Sequence, residues 1–285
     1  MKMMIRILNK LGILPMLNLT TTITVNRRSV KIPLIGTIGF HGIYISEPWM
    51  IKILEHIIRL RNDGAYLDVG VNIGQTLIKV KSVAPKIEYF GFEPNPSCIF
   101  YLKRLIQVNQ YENVTMFPVG ISNEDRIFEL SFFTDNDIDS AASIFSDFRP
   151  LQKTYRKEYV PCFTIKKIIK NKNFPKVSVI KIDVEGAEKE VLEELENLIL
   201  RDWPYIQIEI LPIYTEENTD RLARQNAIEL LLQRLNYIKF RIYTKENNEF
   251  DRLEEIEKIG IHANLRWCDY LLVPATEREN LKSIK

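Results

Sequence analysis

Three short segments combine glycines and carboxylates in patterns that can bind a small charged ligand. The first is Asp68-Val69-Gly70-Val71-Asn72-Ile73-Gly74. It lies between an apolar run at 65–69 and a helical pattern at 75–83, so it reads as a strand-to-helix turn. Gly70 permits a tight turn and close approach of a ligand, and Gly74 lets the helix start near the strand. A dinucleotide-binding fingerprint carries glycine at the position of Asn72, where a pyrophosphate touches the backbone. Asn72 instead has a Cβ, tolerates a left-handed backbone and offers its own amide. A ligand without pyrophosphate at this turn is favoured. S-adenosylmethionine, with a carboxylate and an amine, meets that condition. Taken alone, the segment also reads as a plain structural turn.

The second segment, Phe92-Glu93-Pro94-Asn95-Pro96, ends the next apolar run. A carboxylate at that strand end can accept hydrogen bonds from both hydroxyls of a ribose, and the two prolines stiffen the turn. The third is Lys181-Ile182-Asp183-Val184-Glu185-Gly186-Ala187-Glu188. An acid at Asp183 or Glu185 can hold an amine, orient a substrate hydroxyl or take its proton. The alternative for Glu185 and Glu188 is an ordinary first-turn acid favoured by the helix dipole. Glu209 ends a later strand and is a further candidate for touching substrate or a metal. His41, between Gly39-Phe40 and Gly42, is a candidate general base; a plain loop histidine is the alternative, as for His262. His56, beside Arg59, reads as structural.

These segments, in this order and spacing, resemble the FkbM-type methyltransferases. The likeness rests on DVGVNIG, GFEPNP and KIDVEGAEKEVL, on Val160-Pro161-Cys162-Phe163-Thr164-Ile165, and on Pro204-Tyr205-Ile206-Gln207-Ile208-Glu209-Ile210. It spans roughly residues 60 to 240. Val71 stands where the family usually has alanine. The resemblance implies S-adenosylmethionine as cofactor and O-methylation of a hydroxyl on a sugar, glycan or secondary metabolite. It implies glycine-turn contacts from Gly70, Asn72 and Gly74, a ribose acid at Glu93, and site acids at Asp183 and Glu185; Asp68, Pro94, Asn95 and Asp183 are further candidates for cofactor contact. Asp183, Glu185, Glu209 and His41 are the candidate catalytic residues. A divalent cation held by Asp183, Glu185 or Glu209 is left open.

The elements that position these residues follow from periodicity. Strands are expected at 65–69, 87–92, 114–119, 177–182, 205–211, 237–243 and 269–273, with an extra half-buried strand at 126–133. Helices are expected at 75–83, 97–109, 186–200 and 219–235. Before them lie short extended runs at 22–25 and 30–33 and a helix that Ser46 can cap, with Pro48 in its first turn. Repeated strand–helix units imply an α/β fold with a mainly parallel sheet and helices on both faces. With the resemblance, this becomes a class I Rossmann-like, seven-stranded sheet. The expected organisation is an N-terminal extension at 1–60 packed on a methyltransferase domain at 61–285. Residues 134–160 are a candidate acceptor-site loop holding Phe145, Phe148, Tyr155, Arg149, Lys153 and Arg156; a surface insertion is the alternative. Ligands of such sheets bind beyond the carboxyl ends of the strands, at the switch point.

Composition narrows the partners. The net charge of +2 gives no whole-chain reason to expect nucleic acid or an anionic membrane. Cys98, Cys162 and Cys268 are dispersed, and no His/Cys cluster suggests zinc, so a reducing, cytoplasmic setting is expected. The apolar, basic-biased segment 1–19 is too interrupted to span a bilayer. It reads as a docking segment for the fold, or as a weak membrane-surface element. Two other functions stay in competition: a nicotinamide-dependent oxidoreductase, which Asn72 disfavours, and a non-catalytic binding module on the same sheet.

Overall fold

The computed structural model describes residues 2–14, 17–36, 38–135, 138–139, 142–144, 153–169, 174–281 and 284. Helix α1 (Lys2–Lys10) precedes an antiparallel hairpin of β1 (Asn18–Val25) and β2 (Arg28–Ile35). The hairpin turns through Asn26 and Arg27, both left-handed as a two-residue turn of this kind requires. Helix α2 (Trp49–Leu60) leads into β3 (Ala65–Val69), α3 (Gln75–Val83), β4 (Tyr89–Phe92), α4 (Pro96–Asn109) and β5 (Val114–Phe117). Next come β6 (Gly120–Ile121), β7 (Arg126–Phe132), β8 (Arg156–Phe163) and the short α5 (Ile165–Ile169). The chain then forms β9 (Val177–Ile182), α6 (Glu188–Glu194), α7 (Glu196–Asp202) and β10 (Tyr205–Glu209). It ends with α8 (Thr219–Arg234), β11 (Tyr237–Thr244), β12 (Phe250–Ile256) and β13 (Asp269–Pro274).

The main sheet has the order β12-β11-β13-β10-β9-β3-β4-β5. From β10 to β5 every pair is parallel, while β13 runs antiparallel to both β10 and β11. The sheet therefore has one strand more than the seven expected. Phe250–Ile256 adds to the edge as an antiparallel partner of β11. Its polar composition gives no strong apolar alternation, which hid it in the sequence. Every residue of β3 and β9 is buried, as expected for central strands covered on both faces.

Alternation along the strands divides the core. Tyr66, Val179, Tyr205 and Leu271 face α2, α3 and α4, with Met50, Ile53, Leu77 and Leu102. Their neighbours Leu67, Ile180, Ile206 and Leu272 face α6, α7 and α8, with Val191, Ile199 and Leu232. Val25, Val30, Ile32 and Leu34 of the hairpin join the first face, so the N-terminal segment packs on the core there.

Three local expectations are corrected. The helix at 186–200 is two helices meeting at Leu195, which ends one and caps the other. The residue capping α2 is Pro48, without a side-chain bond, so Ser46 is not its cap. The strand expected at 126–133 leaves the main sheet and pairs with β8, which also pairs with β6. Residues 156–160 therefore belong to a strand rather than to a loop at 134–160. Among the described residues no helix is long and apolar enough to cross a membrane.

Candidate functional site

The chain winds outward from β3 to β5 on one side and from β9 to β13 on the other, so the strand order reverses between β3 and β9. Two loops meet at that point. Asp183 N donates to Val69 O at 3.0 Å, and Gly70 N donates to Phe92 O at 2.9 Å. A Cβ on Gly70 would stand 1.8 Å from the Asp183 carbonyl oxygen, and its φ is +91°. Glycine here is thus required by loop-to-loop packing as much as by ligand approach. Gly70→Ala should cost at least ~2 kcal/mol from clash and backbone strain. Gly36→Ala, at φ +59° with open space around it, carries the strain without the clash. Denaturant unfolding of both variants separates the two terms; equal losses would refute the packing argument.

A cavity of about 380 Å³ opens above this junction. Gly70, Asn72, Glu93, Pro94, Asn95, Asp183, Glu185 and Glu209 all line it. Gly74 and Asp68 do not. Gly74 begins α3, and a Cβ there would press on Leu102 and Leu105. Asp68 is fully buried under the turn, accepting from the Tyr89 hydroxyl, and burial pushes its carboxyl up to about 6. His41 begins a 3-10 turn, His41–Ile43, and its side chain lies outside the described residues. His56 bonds the Asn280 carbonyl at 2.9 Å, and His262 approaches the Tyr270 hydroxyl at 3.4 Å; neither lines the cavity.

Glu93 is the best-defined group. It is 6% exposed. Asn72 N donates to its Oε2 at 2.7 Å and Asn95 N to its Oε1 at 2.8 Å. Asn72 adopts φ +49° to aim that amide. Burial pushes the Glu93 carboxyl up to about 7, against the pull of the two amides. Asn95 caps α4 by accepting from Ser97 N at 2.9 Å, with Pro96 in the first turn. Its side chain is thus committed to holding the Glu93 loop.

The opposite wall is a cluster of acids and lysines. Lys181 Nζ donates to Asp183 Oδ2 at 2.6 Å. Burial works against ionising Asp183, but Lys181 outweighs it and holds the carboxyl below its ordinary value. Glu209 hydrogen-bonds Asp183. Burial and the Asp183 charge push Glu209 far up, so it keeps its proton. Asp269 sits opposite Glu209 in the β10–β13 pairing and is also pushed up, first by burial and then by Glu47. Glu47 accepts from the fully buried Lys79 at 2.9 Å.

Nothing in the sequence marks Glu47, Lys79 or Asp269 as site residues. Glu47 was hidden because its neighbours Ser46 and Pro48 read as helix-start signals. Lys79 lies on a helix covered all round, and no periodicity marks a buried lysine. Among the described residues no group of three or more His, Cys, Asp or Glu side chains is arranged to hold a metal ion.

A second chamber, about 490 Å³, adjoins the first. The two share Ser46, Glu47, Gly70, Asn72, Asp139 and Asp183; Gln75, Thr76, Thr134, Ile138 and Lys181 line only the second. Asp139 Oδ2 accepts from the backbone of Phe133 and Thr134 at 2.7 and 2.9 Å. Ser143 Oγ donates to the Glu185 carbonyl at 2.7 Å. This part of segment 134–160 is therefore tied to the site. Its Phe145, Phe148 and Arg149 lie outside the described residues, and Tyr155 is exposed.

The sheet order, the turn at Gly70 and the acid at Glu93 define a class I S-adenosylmethionine-dependent methyltransferase fold. The profile of the methyltransferase FkbM domain matches residues 68–242, over half of the chain, and the protein belongs to that family. Similar proteins include Methyltransferase 1 of Beauveria bassiana, 24% identical over 48% of this chain and 60% of its own length. Hexuronic acid methyltransferase AglP of Haloferax volcanii is 27% identical over 67% of this chain and 78% of its own. The crystal structure of methyltransferase FkbM from Methylobacillus flagellatus superposes with a TM-score of 0.45 at 16% identity. That match covers 74% of this chain and 44% of the other. The chain thus spans less than two thirds of the fungal relative and of that crystallised chain.

Proposed function

We propose that this protein is an S-adenosylmethionine-dependent O-methyltransferase acting on a hydroxyl of a sugar, glycan or secondary metabolite. The observation that carries the reading is Glu93, buried at the cavity wall between two backbone amides. A carboxylate has about four lone-pair sites, so two remain after the amides of Asn72 and Asn95. Those two suit the adjacent hydroxyls of a ribose. Pro94, Asn95, Asn72 and Gly70 complete the cofactor wall, and Asp183 stands where the methionine amine would be held. Bound there, S-adenosylmethionine supplies an electrophilic methyl group on its sulfonium. The name of the Haloferax relative supports a sugar acceptor.

The adjoining chamber is the acceptor site in this reading. Glu47, Gln75, Thr134 and Asp139 can hydrogen-bond an acceptor rich in hydroxyls, and Asp183 joins the two spaces. Ionised by Lys181 and fixed by the protonated Glu209, Asp183 accepts a hydrogen bond from the reacting hydroxyl. Being held low, it is a weak base, so it takes the proton only late in transfer. Most of the rate then comes from orientation. Buried free thiols at Cys98, Cys162 and Cys268 fit a reducing, cytoplasmic setting.

Calorimetric titration with S-adenosylhomocysteine and with NAD tests the reading. Binding of the first without the second is expected, followed by transfer of a labelled methyl group to a screen of glycans. Tight NAD binding without S-adenosylhomocysteine binding would favour the oxidoreductase. Cofactor binding with no transfer to any hydroxyl would favour a binding module.

A further inference from the structure

We propose that helix α1 docks this protein on an anionic lipid surface. The helix, residues Lys2–Lys10, leaves Met3 75%, Met4 53% and Ile7 51% exposed, followed by Leu11 at 64%. At helical spacing these four fall on one side and form a continuous stripe. Single exposed apolar residues are ordinary, but a stripe of four over successive turns is a contact surface. The stripe is held in place from behind. Ile5 is 2% exposed in the core, Leu8 packs on that core, and Arg6 Nε donates to the Tyr44 hydroxyl at 2.5 Å.

Charge selects the occupant. Residues 1–46 contain Lys2, Arg6, Lys10, Arg27, Arg28 and Lys31, and no aspartate or glutamate. The first acid is Glu47. The whole-chain charge of +2 hides this asymmetry, because the rest of the protein is net acidic. A second copy docked on the stripe would bring another helix carrying Lys2, Arg6 and Lys10 and no acid against the first. A nucleic acid would match the charge and leave the apolar stripe uncovered. An anionic bilayer satisfies both: acyl chains and the headgroup boundary take the apolar stripe, and acidic headgroups take the charge of the basic helix, with Lys10 exposed in its last turn. A helix of this length lies in the interface and does not span it.

The test is co-sedimentation of the full chain with vesicles of phosphatidylcholine alone and of phosphatidylcholine with 30% phosphatidylglycerol. At least tenfold tighter binding to the anionic vesicles is expected, falling in high salt. Ile7→Glu/Leu11→Glu should lower that binding at least tenfold, and Lys10→Gln should lower it less. All altered side chains are exposed, so the melting temperature should stay unchanged and report folding independently of methyl transfer. Three results would overturn the proposal. One is absence of binding to anionic vesicles. Another is unchanged binding in the folded Ile7→Glu/Leu11→Glu variant. The third is a wild-type dimer in ultracentrifugation that this variant makes monomeric, which would assign the stripe to a second copy.

Discussion

Asp183→Asn should lower methyl transfer by about 10²-fold and should also destabilise the protein. The catalytic share follows from losing the charged acceptor for the reacting hydroxyl. That loss lies near the lower end of the roughly 10²–10⁴ expected for proton-transfer groups, because Lys181 already makes Asp183 a weak base. The stability share follows from the same pair. Lys181 is 6% exposed and its ammonium lies 2.6 Å from Asp183. Removing one partner of a buried pair strands the other, at about 3–5 kcal/mol. Asp68 and Glu47 also raise the Lys181 pKa, so a loss near the lower end is expected. Glu209 should lose part of its upward displacement in the variant, since the Asp183 charge is its second cause after burial.

A companion substitution separates the two shares. In Asp183→Asn/Lys181→Met no stranded ammonium remains, so stability should return toward the wild-type value while turnover stays low. Thermal melting and single-turnover transfer on the same preparations decide the matter. Recovery of turnover along with stability would show that Asp183 acts only through the fold. Near-normal turnover per folded molecule of Asp183→Asn would instead turn attention to Glu185 and Glu47.

The central parallel strands were legible because each is a short apolar run bounded by a glycine or an acid. Those boundaries are what a switch-point site is made of. Glu93, Asn72 and Asp183 could be named because strand ends place them at the cavity. The edge was less legible. Phe250–Ile256 carries Asp251, Arg252, Glu254 and Glu255, so it shows no apolar alternation and is defined only by pairing with β11. Pairing partners are also what separated β7 and β8 into their own sheet; Arg126–Phe132 alternates equally well in either location. Asp68 illustrates a different limit. Its place at a strand end reads as ligand-facing, but strand alternation turns its side chain inward to Tyr89. The acid–lysine cluster was least visible, because Glu47, Lys79 and Asp269 come from three distant segments. Their shared charges become apparent only when the sheet is closed.

Glu93 should make cofactor affinity and protein stability respond to pH in opposite directions. Burial raises its carboxyl from 4.5 to about 7. The folded protein therefore holds a proton that the unfolded chain has lost between those values. More protons on the folded state means that stability falls as pH rises through the window. The full displacement corresponds to roughly 3 kcal/mol. Asp68, raised to about 6, and Glu188, raised to about 7 by burial, have the same sign. The melting temperature of the ligand-free protein should thus be higher at pH 5.5 than at pH 8. Affinity for S-adenosylhomocysteine should run the other way. Ribose hydroxyls donate to an ionised carboxylate, so the dissociation constant should rise about tenfold per unit below pH 7 and level off above it. Asp68 and Glu188 do not line the cavity, and Glu209, which does, is pushed too far up to ionise in this window, so the second trend is assigned to Glu93. In Glu93→Gln the affinity at pH 8 should fall by roughly 1.5–3 kcal/mol, and its pH slope should vanish. One backbone amide then meets the side-chain NH₂ group, so the slope is a cleaner readout than the absolute stability. Calorimetry at four pH values on both proteins tests this. A wild-type affinity independent of pH, or a slope that persists in Glu93→Gln, would place the ribose away from Glu93.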